Sequence, residues 1–185
     1  MNNKMLLVCA LGFSSLIVGC GSDSSNESAS SESNAVKKQF SSEVVGTWEK
    51  SCFPVYDPQD TNKVVVYNSI LMTVKSDLSS TSKVEVYAAS DSQCLSSTKT
   101  ITMDSKLDVD GKISTDESYE AYAVNIIPKS IDGGSWESES TVYSLFYIDS
   151  EKMYFGQPST NNTGSSKDKR HSSLNLKSYF TKVIY

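Results

Sequence analysis

Beyond residue 43 the chain alternates apolar and polar positions with a period of two, the repeat of strands buried on one face. The first such stretch, residues 44–52, places Val44, Gly46, Trp48, Lys50 and Cys52 on one side and Val45, Thr47, Glu49 and Ser51 on the other. Residues 63–75 align Val64, Val66, Ile70, Met72 and Val74, a row interrupted only by Asn68. After a turn at 76–80, residues 82–89 carry Val84, Val86 and Ala88 on one face. Residues 98–109 alternate most cleanly, with Ile101, Met103, Leu107 and Val109 facing in. Asp110-Gly111 is then predicted to be a hairpin tip, because glycine takes positive φ without strain.

Residues 119–127 give the next strand, ended by Pro128, which has no N–H to donate to a ladder. A Gly-rich turn follows at 132–135. Residues 141–148 are apolar on both faces, 153–156 form a short mate, 158–173 a long polar loop, and 174–185 a last strand. No repeat and no amphipathic helix stands out. The expected fold is all-β, an antiparallel up-and-down barrel of about eight strands, since closure removes the unpaired edges that such a set would expose. Its outward Thr, Lys, Asp and Ser suit water and not lipid.

The N-terminus has a different character. Lys4 gives a positive start, and residues 5–18 are an apolar run of 14 positions, short of the ~20 that a helical bilayer span needs. The run ends in Leu16-Ile17-Val18-Gly19-Cys20, which resembles a bacterial lipobox. That resemblance implies a lipoprotein signal peptide at 1–19 and lipid attachment at Cys20, with the protein held at a membrane by its acyl chains. Acyl chains contribute about 0.8 kcal/mol per buried methylene, and two or more chains are needed for a firm hold. With Gly21 and Ser22 after the cysteine and no Asp beside it, the pattern resembles lipoproteins sent to an outer membrane, facing the periplasm if the source is Gram-negative.

Residues 21–42 hold nine serines and show no apolar periodicity, so residues 20–42 are read as the lipidated cysteine and a disordered tether, and 43–185 as the barrel domain. Of four cysteines, Cys9 leaves with the signal and Cys20 takes lipid. Cys52 and Cys94 remain, and in an oxidising compartment they are expected to form a disulfide, whose closed loop stabilises by about 3–4 kcal/mol. They have neither a CxxC spacing nor a neighbouring histidine, which argues against a metal or catalytic pair.

Charge adds an exclusion. With 17 basic and 22 acidic side chains the net charge is −5, so no general affinity for nucleic acid is expected. Asp108, Asp110, Gly111, Ile113 and Glu117 match positions of a calcium loop, but Lys106 occupies the first coordinating position and the flanks read as strands, so no metal is assigned. His171 is the only histidine. It lies in a Lys/Asp/Arg-rich loop and is read as a solvated surface residue, and no nucleophile motif or phosphate-binding glycine loop accompanies it. The expectation is a protein that is not an enzyme and has no cofactor.

Gly46-Thr47-Trp48 and the strand count together resemble the lipocalin-like, or calycin, proteins, in particular small bacterial lipoproteins with such a domain. The resemblance implies a Gly-x-Trp in the first strand, with a basic residue from near the barrel's end packed over the Trp. Lys182 is the first candidate for that residue and Arg170 the second. Trp48 itself is read as a core aromatic plugging one end. The implied function is binding of a small, largely apolar ligand in the barrel. The alternative is a barrel filled by its own side chains that acts as a structural or protein-interaction lipoprotein, and that form predicts an exposed aromatic patch.

Overall fold

The computed structural model describes residues 25–135 and 140–184. They form α1 (Ser25–Val44), then β1 (Gly46–Asp57), β2 (Asp60–Val74), β3 (Ser79–Ala88), β4 (Ser97–Ser114) and β5 (Glu120–Ile131). The short β6 (Gly134–Ser135), β7 (Val142–Asp149), β8 (Lys152–Gln157) and β9 (Ser173–Lys182) follow, with a 3-10 turn at Lys167–Lys169. The signal segment and Cys20 lie outside the described residues.

Eight strands close into an antiparallel up-and-down barrel of lipocalin-like form. Neighbours in sequence pair in turn, β5 pairs with β7, and β9 returns to β1, while β6 only extends the end of β5. The inward rows are those that the alternation selects: Trp48, Met72, Val74, Leu107, Val109, Val124, Phe146, Met153 and Phe180 share one buried cluster. Closure is uneven around the wall. β1 and β2 pair along nearly their whole length, whereas β9 meets β1 only at Trp48↔Lys182 and Glu49↔Thr181. Beyond Glu49 the two closing strands have no shared register.

Three expectations are corrected. The tether expected to be disordered is helical from Ser25 to Val44, and its end belongs to the domain. Val36, Phe40 and Val44 recur every four residues, the spacing of one helix face. Phe40 and Val44 are fully buried in the barrel's core, with the Phe40 ring 5.0 Å from Tyr122 and 6.1 Å from Phe146. Serine is a poor helix former, and three apolar residues among serines are too sparse to stand out. The helix is held by what it packs against.

Asp110-Gly111 is not a hairpin tip. β4 runs on to Ser114, the register shifts between Val109 and Gly111, and the chain turns at Thr115–Tyr119. A glycine with φ +153° serves a bulge as well as a turn, so the dipeptide marks either. Pro128 likewise does not end β5. It sits opposite Ser105 beside another register shift, where a missing N–H does not interrupt the ladder.

Candidate functional site

One mouth of the barrel is shut. The chain passes from α1 into β1 through Gly46, whose φ of +134° disfavours any side chain; a Cβ there would also press on Lys182 Cε at 3.3 Å. The Lys182 side chain crosses this glycine, so that its Nζ lies 5.2 Å from the centre of the Trp48 ring and donates to the Glu43 carbonyl at 3.3 Å. A cation there meets both an aromatic face and the carbonyl end of a helix, each attractive to positive charge. The Trp48 indole N–H donates to the Val44 carbonyl at 2.7 Å, so the largest fully buried side chain among the described residues has its donor satisfied. Tyr122 closes the plug by donating to Glu43 at 2.9 Å, and burial pushes its phenol well above the usual range. Gly46, Trp48 and Lys182 therefore meet at one barrel end.

Below the plug the barrel is not filled. A cavity of about 200 Å³ remains, half open to solvent and bounded by Ile70, Met72, Ile126, Phe155 and Phe180. The hydroxyls of Ser80, Ser82 and Ser105 line its β3–β4 side. An apolar chamber with a few hydroxyls suits an organic molecule more than a cluster of water. Its size is near that of an engineered ~150 Å³ cavity that takes benzene and below the ~300–1,000 Å³ of drug-sized sites.

Two polar residues missed as functional candidates stand in the inward rows of β1 and β2, next to the cavity wall and outside its lining. Lys50 follows Trp48 on the inward side of β1 and pairs with Ile70. Its Nζ stands 3.8 Å from the centre of the Phe53 ring and 5.9 Å from that of Phe180, and burial lowers its pKa. Asn68 pairs with Phe53 and has its side-chain oxygen buried with no hydrogen-bond partner among the described residues. The signal for both was present in the sequence: each is a polar residue in an otherwise apolar inward row.

The disulfide is formed. Cys52 and Cys94 are joined with Cα atoms 5.7 Å apart, tying mid-β1 to the loop between β3 and β4.

Arg170 and His171 are placed differently from their sequence readings. Arg170 lies over the ring of Tyr143 and not over Trp48: its guanidinium donates to the Val124 and Ser144 carbonyls, to Asn125 at 2.7 Å and to Asp110 at 2.7 Å. His171 is buried, at 7% exposure, not solvated. Its Nδ1 lies 3.0 Å from Ser144 Oγ, and Gly156 and Gly164 flank it so closely that a Cβ on either would come within 2.8 Å of the ring or its stem. Burial lowers its pKa below the ordinary value. The charged loop around it gave no hint of this, because the polar residues 158–169 face out while two glycines make room for the imidazole. The acids of the calcium-like pattern each have a separate partner: Asp108 pairs with Lys37, Asp110 with Arg170 and Lys167, and Glu117 accepts from the Leu174 N–H.

Compared with models of known protein families and with curated proteins, the chain has no match.

Proposed function

We propose that the chain is a membrane-anchored lipoprotein of the lipocalin-like kind, tethered through Cys20, whose barrel binds a small, largely apolar ligand. The observation that carries this reading is the ~200 Å³ cavity beneath the Trp48 plug, since an interior meant only to be packed would be filled to the density of a protein core. The plug leaves entry to the opposite mouth and to the slit between β1 and β9. The size of the chamber favours a ligand of roughly ten heavy atoms over a long lipid.

A second reading, a lipoprotein that works through its surface, is favoured by one feature of the outer wall. Tyr119, Tyr147, Tyr154 and Tyr179 form a continuous stripe with successive ring centres 4.8, 5.9 and 5.7 Å apart. Exposed tyrosine is enriched at protein interfaces.

Native mass spectrometry of the protein purified from its own cell separates the two. The binding reading expects an added mass of a few hundred daltons at most that is lost on denaturation. A protein-sized adduct with no small-molecule shift would favour the surface reading.

A further inference from the structure

Lys50 and Asn68 carry an unmet requirement into the barrel. Lys50 enters none of the ion pairs among the described residues, although its stem reaches inward beside Phe53 and Phe180. An aromatic face partly compensates a half-buried ammonium, yet an anion would do so far better. Asn68 presents a buried acceptor that nothing donates to, a state that native folds rarely leave unanswered. The two lie on adjacent strands: Lys50 is opposite Ile70, and Phe53 is opposite Asn68 across a register shift. Ile70, the partner of Lys50 and two residues along β2 from Asn68, lines the cavity, as does Phe180 beneath the ammonium.

The approach to this pair is open. β1 leaves β9 after Glu49, and a groove of about 240 Å³ runs over the slit, lined by Glu49, Lys50 and Phe53 on one bank and Lys177 and Tyr179 on the other; of its two lysines only Lys50 stands over the inward Phe180. What joins groove and cavity is Lys50 itself, which lines the groove while its ammonium stands 5.9 Å from the ring of Phe180 in the cavity wall.

We propose that Lys50 and Asn68 are the head-group site for a small amphiphilic carboxylate, one whose carboxylate pairs with Lys50 and whose neighbouring hydroxyl or amide N–H donates to Asn68, with the tail in the cavity. This rests on the reading of the barrel as a binding module and narrows the class of its ligand. The closed end offers no rival head-group position, because Lys182 there is already committed to Trp48 and the helix end.

The test is isothermal titration of residues 20–185 with three probes of one chain length: octan-1-ol, octanoate and 3-hydroxyoctanoate. The wild-type protein is expected to bind octanoate at least tenfold more tightly than octan-1-ol, and the hydroxy acid more tightly still. Lys50→Met should bring octanoate down to the level of the alcohol and leave the alcohol's affinity in place. Asn68→Leu should remove the advantage of the hydroxy acid over octanoate. Equal affinity of the wild-type protein for alcohol and acid overturns the head-group site while sparing the binding module, and that comparison needs no variant to fold. A preference for acid that survives in a folded Lys50→Met protein overturns it equally. Saturable binding of none of the three probes removes the binding module, and the site with it.

Discussion

His171 is an imidazole sealed between two glycines and a serine hydroxyl, and its neutrality is part of the fit. Burial holds its pKa below the ordinary 6.5, so on acidification the unfolded chain takes up the proton before the folded one. The stability linked to this group is complete above pH 6.5 and is lost as the pH falls below it. Thermal unfolding followed from pH 8 to pH 5 should show a declining midpoint, and His171→Gln should flatten the slope within that window. An equal slope in both proteins would show that His171 is protonated or solvated in the fold. Asp116 acts lower, because the hydroxyls of Ser172 and Ser173 hold its carboxyl below 3.8 and its contribution is lost only as the pH falls further. None of this was legible in the residues around position 171. The packing across Trp48 was legible, because a glycine two positions before a tryptophan already indicates a backbone shaped around a large ring; that Lys182 is the side chain involved was given only by the resemblance to lipocalin-like proteins.

At the level of elements, α1 makes the difference between an open cylinder and a plugged one. Phe40 sits at the centre of the plug with no exposed surface, in contact with Tyr122 and Phe146. Phe40→Ala should therefore lower the unfolding free energy in urea by about 3–5 kcal/mol, the usual cost of emptying a buried aromatic site. A loss below about 1 kcal/mol would show that the helix end does not belong to the folded unit. The strands were readable because alternation is enforced by a one-sided core, and a one-residue slip would expose every inward side chain. The helix was not, since its stripe is three residues long and its stability comes from tertiary contact. The bulge at Asp110-Gly111 was misread for a related reason: positive φ states what the backbone does at one residue and not whether the strand goes on.

On the scale of the whole molecule, the barrel is tight at one end and loose at the other. The plug, the Lys182 clamp and the short β9–β1 pairing sit together, and beyond them the two strands part at the groove that Lys50 lines. The disulfide holds the loop between β3 and β4 to β1 past the point where β9 has left it. The lipid anchor proposed at Cys20 has a test of its own. Growth with an alkyne-tagged palmitate should label the wild-type protein and not the Cys20→Ala protein, and label retained without Cys20 would refute the anchor.

The claim on which the rest depends is that a small molecule enters the chamber below Trp48. Methyl NMR of the folded chain during titration with octanoate tests this most directly. Saturable shifts of the Ile70, Met72, Met103 and Ile126 methyl groups are the expected result, with Leu71 and Val142 on the outer wall unmoved. Shifts confined to the outer wall, or none at saturating probe, would contradict it.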